Sequence, residues 1–169
     1  GKTSTNNMIY SIIRESGHSC ACNKLGANLD SGLISAFINN CNLIGHLEAD
    51  YATLEVDEAS LVKVMKHIKP HIIVFTNIFR DQLDRYSEID ALLNKIKASI
   101  KSSQSTVLLI NADDPSLVAL GEELPNEKYF YGIESPVDMG SEDLTRDSVF
   151  CKECGNRLSY KHYFYGQLG

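Results

Sequence analysis

Apolar residues fall at two spacings along this chain, one suited to helices and one to strands. Met8, Ile12 and Ile13 lie at helical spacing within residues 3–16, and Gly17 supplies a stop, so a helix is predicted there. A Gly- and Asn-rich connection, Gly26-Ala27-Asn28-Leu29-Asp30-Ser31-Gly32, leads into an apolar stretch from Leu33 to Ile38. Tyr51 to Val56 reads as a short strand, and Glu58 to Lys69 as a helix closed by Pro70. His71 to Phe75 is a continuous apolar run, as in a parallel strand buried on both faces. Ile89, Leu92, Leu93, Ile96 and Ile100 make one inward helical stripe, with Lys95, Lys97 and Lys101 free to face water. Thr106 to Ile110 is a further strand, ended by Asn111-Ala112-Asp113-Asp114-Pro115; a short helix over Ser116 to Leu120 and a strand over Lys128 to Tyr131 follow.

Helices alternating with apolar strands predict an α/β fold with a mostly parallel sheet. The polar motifs all follow strand ends, where an open sheet of that kind places its ligand crevice. Past Gly132 the character changes: residues 133–148 are acidic and polar, and Phe150 to Phe164 has hairpin-like aromatics around a Cys pair. The expected organisation is therefore a nucleotide-binding core over residues 1–132 and a small inserted or appended module over 133–169.

Composition narrows the function classes. A chain of 169 residues suffices for one domain that buries about 70% of its extended surface. The net charge of −6, with no dense Lys/Arg cluster, argues against a nucleic-acid partner. No apolar run reaches the roughly 18 residues of a membrane span. The chain opens on Gly1-Lys2-Thr3 and closes just after a two-cysteine knuckle without its partner pair, so it reads as an internal piece of a longer protein. Five cysteines make no disulfide framework; Cys20, Cys22 and Cys41 fit free thiols in or beside apolar stretches.

Four polar motifs carry candidate chemistry. Lys2, Thr3 and Ser4 behind Gly1 match the end of a Walker-type loop: a lysine for phosphate, a hydroxyl for Mg²⁺, and free helix-end amides for the anion. Glu55 sits near the end of its strand, where a carboxylate can hold the Mg²⁺ that bridges ATP phosphates. Asp57 and Glu58 also suit a first helical turn, but an unpaired carboxylate between Leu54 and Val56 would be costly to bury. In the motif Thr76 to Tyr86, Arg80 and Arg85 can neutralise phosphate or a substrate carboxylate, with Asp81 or Asp84 to position them or a metal; an N-cap with local salt bridges accounts for one or two of these residues. Asn111 offers a donor and an acceptor to an adenine edge, while Asp114 before Pro115 is equally a helix cap.

Together, Gly1-Lys2-Thr3, Glu55, Asn77 to Tyr86 and Asn111 to Pro115 resemble the central domain of the Mur ligase family, which is P-loop-containing. The resemblance implies ATP-driven phosphorylation of a carboxylate, then displacement of phosphate from the acyl phosphate by an amine. It places Lys2 and Thr3 on the phosphates and Mg²⁺, Glu55 on Mg²⁺, and Asn111 on adenine, with Gly1, Ser4 and Asp114 in the nucleotide site. Lys2, Arg80, Asp81, Gln82, Asp84 and Arg85 become the catalytic candidates. Amino-acid-adding members usually carry Asp-His where Asp81-Gln82 stands, which puts the second metal subsite in doubt. Lys97 lies near the place of the family's carbamylated lysine, and a solvated helix lysine is the plainer account.

Cys151-Lys152-Glu153-Cys154-Gly155 reads as half of a zinc ribbon, two thiolates on one ion with Gly after the second. A redox pair is the rival, but no thioredoxin-like helix start follows it. His162, or a cysteine pair past Gly169, would complete the Zn²⁺ site. A zinc-ribbon-like insertion in a Mur-like core is similar to the lipid II-amidating branch of the family, as are Gly26-Ala27-Asn28-Leu29 and Phe79 to Tyr86. That branch implies a GatD-like glutamine amidotransferase subunit as ammonia source, and conversion of the D-glutamate α-carboxylate of lipid II to D-isoglutamine. It also implies a cytoplasmic enzyme of peptidoglycan synthesis, acting at the inner membrane surface. Two alternatives stay open: an amino-acid-adding Mur or folylpolyglutamate-type ligase, and a non-catalytic P-loop scaffold whose zinc ribbon binds a partner.

Overall fold

The computed structural model describes residues 1–23, 30–78, 86–134, 150–151 and 154–159. The chain divides into two compact units, Gly1–His67 and Ile68–Gly169.

The first unit opens with helix α1 (Lys2–Glu15), followed by strand β1 (Cys20–Cys22), helix α2 (Asp30–Ile38), strand β2 (Tyr51–Thr53) and helix α3 (Glu58–Val64). Gly17 ends α1 as expected: at φ +88° it adopts a conformation that a side chain would disfavour, while its N–H bonds to the Arg14 carbonyl. The apolar stripe on α1 is not its buried face. Met8 and Ile12 are 60% and 66% exposed, and the helix buries Asn6 instead. Hydrogen bonds from Asn6 to Cys22 Sγ and Asn23 Oδ1 set that rotation.

Strand β1 pairs in parallel with β2, Cys20 opposite Tyr51 and Cys22 opposite Thr53. Its three residues are too few to display an alternating pattern, so the sequence showed only buried thiols here; Cys20 is indeed buried, with Cys22 and Cys41 half-buried and all three free. Helix α2 buries Leu33 and Ala36. Strand β2 stops at Thr53, so Glu55 lies two residues past it rather than within it. Helix α3 is shorter than the expected 58–69 stretch; Asp57 caps it by accepting from the Ser60 N–H, and it ends at Val64.

The second unit holds strand β3 (Ile72–Phe75), helix α4 (Tyr86–Lys101), strand β4 (Val107–Asn111), helix α5 (Pro115–Glu122) and strand β5 (Lys128–Tyr131). The strands form a sheet in the order β3-β4-β5, every pairing parallel, with Ile72 opposite Val107 and Leu108 opposite Lys128. Leu108, Ile110, Leu117 and Leu120 are buried between β4 and α5, and Leu93, Ile96 and Ile100 are the buried stripe of α4; the side chain of Ile89 lies outside the described residues. The apolar run of β3 is not buried on both faces. Ile73 and Phe75 are buried, but Ile72 is 57% exposed. Successive side chains of a strand point to opposite faces, so Ile72 lies on the face opposite Ile73 and Phe75.

The two-cysteine segment forms a tight turn. Phe150 and Arg157 make an antiparallel bridge, the Cys151 N–H bonds to Asn156 O, and the Gly155 N–H bonds back to Cys151 O. Gly155 sits at φ +69°, so the glycine after the second cysteine meets a backbone requirement. Among the described residues, no group of three or more His, Cys, Asp or Glu side chains is placed to hold a metal. The expected Zn²⁺ site is thus represented only by Cys151 and Cys154; His162 lies outside the described residues.

Candidate functional site

In the first unit, the start of α1 meets the segments that leave β1 and β2. Thr3 Oγ1 donates to Glu55 Oε1 at 3.1 Å, and Lys2 Nζ pairs with Glu58 Oε1 at 2.9 Å. Helical geometry favours both contacts: Lys2 and Thr3 lie four and three residues before Asn6, so each neighbours it on the surface of α1. Gly1 is the N-cap and provides no side-chain cap, and no acidic residue occupies the first turn. The amide end of the helix therefore keeps its affinity for an anion. Ser4 is exposed on that turn.

Glu55 is the unusual residue. It is 7% exposed, and its Oε2 is buried with no hydrogen-bond partner. A buried carboxylate oxygen left without a partner is costly, and a bound cation would satisfy it. The donor set fits Mg²⁺, because a hard cation takes carboxylate and hydroxyl oxygens and completes its shell with water and phosphate. Glu58 does more than favour its helix dipole, since it also holds the ammonium of Lys2.

Two residues that no motif marked stand behind Glu55. Asn23 Nδ2 donates to Glu55 O at 2.6 Å, and Asn23 Oδ1 accepts from Glu55 N at 2.8 Å. Asn6 Nδ2 donates to Asn23 Oδ1 at 3.4 Å. A lone Asn just past a three-residue strand carries no spacing signal by which to find it.

In the second unit, Asn111 ends β4 and Asp114 follows it before α5. Asn111 is buried; its Nδ2 donates to Thr76 O at 2.7 Å and its Oδ1 accepts from Asp113 N at 3.0 Å. Its amide oxygen and one amide hydrogen are therefore engaged within the protein. Asp114 caps α5, with Oδ1 accepting from Ser116 N at 2.9 Å and Leu117 N at 3.3 Å. Its Oδ2 accepts from Ile78 N at 3.2 Å. Asn111 and Asp114 thus hold the stem that leads into the Asn77–Tyr86 motif.

Near the end of β5, Tyr131 donates from its hydroxyl to Phe75 O at 2.9 Å, and Asp113 Oδ2 accepts from Ile133 N at 3.2 Å. Burial, reinforced by the Asp113 charge, pushes the Tyr131 phenol above its ordinary pKa. Lys97 is half-buried, and its Nζ pairs with the exposed Glu123 Oε1 at 2.6 Å. Arg80, Asp81, Gln82, Asp84 and Arg85 lie outside the described residues, as does the Gly26–Leu29 segment. The structure brings Lys2, Thr3, Glu55 and Glu58 together in one unit, and Thr76, Ile78, Asn111 and Asp114 in the other.

A parallel α/β architecture whose polar residues gather beyond strand ends is one that places a ligand crevice there. The Mur ligase middle domain matches residues 1–164, and this chain belongs to that family. Among curated proteins, it is 35% identical over 169 residues to the lipid II isoglutaminyl synthase (glutamine-hydrolyzing) subunit MurT of Staphylococcus aureus (strain COL), covering 100% of this chain and 37% of that protein. The MurT subunit of Streptococcus pneumoniae (strain ATCC BAA-255 / R6) is 31% identical over 172 residues, with the same two coverages of 100% and 37%. The chain thus spans a little over a third of the length of these relatives. A solved structure of UDP-N-acetylmuramoyl-L-alanyl-D-glutamate–2,6-diaminopimelate ligase shares the fold, with a TM-score of 0.57 at 19% identity, over 80% of this chain and 30% of that one. Among the described residues, no helix is long and apolar enough to cross a membrane.

Proposed function

We propose that this chain is the ATP- and Mg²⁺-binding part of a MurT-like subunit that amidates the D-glutamate α-carboxylate of lipid II. The observation that carries the nucleotide half of this proposal is the Glu55 carboxylate, bonded to Thr3 through one oxygen and buried without a partner at the other. The similarity to two MurT subunits supports the lipid II half.

In this scheme Thr3 and Glu55 would hold Mg²⁺, which supplies charge neutralisation on the ATP phosphates. Gly1 and Ser4 contribute the amide end of α1. Lys2 exchanges Glu58 for a phosphate oxygen, and Glu58 keeps the ammonium oriented until then. A carboxylate oxygen of the substrate attacks the γ-phosphorus and ADP leaves, giving an acyl phosphate. Ammonia then adds to the acyl carbon, loses a proton, and expels inorganic phosphate to leave the amide. Arg80 and Arg85 are assigned to the charge of the transferring phosphoryl group, with Asp81, Gln82 and Asp84 around them. Asn111 and Asp114 hold the stem of that motif, and the remaining Asn111 amide hydrogen is available to adenine. A GatD-like glutaminase subunit supplies the ammonia, in the cytoplasm at the membrane that carries lipid II. Residues 1–132 are assigned to the core and 133–169 to an insertion in which Cys151 and Cys154 would provide two thiolates to Zn²⁺.

The test is amide formation by the full-length protein with its glutaminase partner, ATP, glutamine and lipid II. The expected product is lipid II amidated at D-glutamate, with one phosphate released per amide. Release of phosphate only when a free amino acid is supplied would instead favour an amino-acid-adding ligase.

A further inference from the structure

Behind Glu55 lies a buried chain of side-chain amides that the proposed chemistry does not use. Asn23 is 4% exposed and makes two hydrogen bonds to the backbone of a single residue, accepting from Glu55 N and donating to Glu55 O. Only a side-chain amide can do this, because it presents a donor and an acceptor in one plane, as a peptide group does. Aspartate could accept from Glu55 N but would face Glu55 O with a second acceptor. Serine has one oxygen and a shorter reach. Strands β1 and β2 end their ladder at Cys22 and Thr53, and Asn23 continues the pairing by side chain to the residue bearing the carboxylate. Asn6, also buried, donates to the same Asn23 oxygen from the helix that carries Lys2 and Thr3.

We infer that Asn23, braced by Asn6, is a positioning residue for the metal and nucleotide site, locking the Glu55 backbone to α1 so that the carboxylate meets the Thr3 hydroxyl before any ligand arrives. The inference rests on the Mg²⁺ role proposed for Glu55. Its physical basis is preorganisation: a ligand held in place in the free protein needs no ordering when the cation binds, and groups that hydrogen-bond behind a metal ligand govern affinity without touching the metal.

The experiment uses the full-length protein and titrates MgCl₂ at fixed concentration of a non-hydrolysable ATP analogue, reading nucleotide binding by calorimetry. Asn23→Ala is expected to raise the half-saturating Mg²⁺ concentration roughly 10-fold or more. Asn6→Ala removes the brace, together with the bond to Cys22 Sγ, and is expected to shift it less, in the same direction. Thermal unfolding without Mg²⁺ is recorded in parallel. A lower melting temperature with unaltered Mg²⁺ half-saturation in both variants would overturn the inference, leaving the two asparagines a purely structural role. If Asn23→Ala does not fold, the milder Asn6→Ala decides by the same criterion. Glu55→Gln separates the two levels. Mg²⁺ dependence unaffected by Glu55→Gln defeats the proposed metal role itself, whereas dependence lost in Glu55→Gln but intact in both asparagine variants defeats only the relay.

Discussion

Glu55 combines two properties that pull against each other. Its carboxylate is buried with one oxygen unpartnered, which destabilises the fold, and the same oxygen is what a cation would seek. Glu55→Gln is therefore expected to stabilise the metal-free protein by about 1 kcal/mol, measured by chemical denaturation, while abolishing Mg²⁺-dependent nucleotide binding. A loss of both stability and binding would mean that the carboxylate is held by groups other than a metal. The residue was legible in the sequence because a carboxylate between Leu54 and Val56 is out of place in an apolar setting. Asn23 and Asn6 were not. Their roles depend on which backbone atoms fold back onto them, and an asparagine beside a strand is unremarkable until its partner is known.

At the scale of elements, side chains tie down the ends of strands. Before β1, Ser19 donates to Asp50 Oδ2 from its hydroxyl at 2.7 Å and its backbone N–H at 2.9 Å. The Ser19 hydroxyl bond, then the backbone bond, hold the Asp50 carboxyl below its ordinary pKa, with a smaller contribution from His18. A carboxyl whose folded pKa is depressed adds stability above its unfolded pKa, and this is lost as pH falls through the folded value. The urea midpoint of the wild-type protein should thus drop more between pH 6 and an acidity below the ordinary Asp range, near pH 3, than that of Asp50→Asn. Equal pH dependence in the two would remove the clamp from the account.

Asp114 serves two elements, capping α5 and holding the Ile78 N–H. Asp114→Ala should cost about 2 kcal/mol in denaturant unfolding, near the upper end for a cap because a second bond is lost with it. Asp114→Asn keeps an acceptor oxygen and should recover part of that loss. The cap was readable from Asp before Pro, since that pair is a standard helix opening. Its hold on Ile78, thirty-six residues away in sequence, was not.

At the scale of the whole molecule, the alternation of helices and apolar runs was enough for a parallel α/β arrangement, and every strand pairing among the described residues is parallel. One expectation about burial failed, for β3, and the apolar stripe of α1 faces outward for the same reason. The α1 stripe of Met8 and Ile12 and the β3 residue Ile72 are exposed, because hydropathy tells which residues favour a core but not which face a neighbour covers. Cys151 and Cys154 lead to a prediction for the complete protein. Purified full-length chains should carry about one Zn²⁺ each by elemental analysis, as a four-ligand structural site demands, and Cys151→Ser with Cys154→Ser should lose it. Metal-free wild-type chains with full activity would show the turn to be a purely backbone feature.

What the sequence by itself determined were the properties carried by local spacing and residue chemistry: the parallel α/β class, the helix stop at Gly17, the cap at Asp114 and the glycine of the cysteine turn; it also named Lys2, Thr3 and Glu55 as candidates for one site. Only the tertiary structure decided that Thr3 meets Glu55, that Glu58 holds Lys2, that Asn23 clasps the Glu55 backbone, and that α1 turns its polar face inward. The division follows from the range of the forces. Backbone preferences and hydrophobic period act over a few neighbouring residues, whereas a hydrogen bond between residues 32 to 56 positions apart exists only once the chain has closed around it.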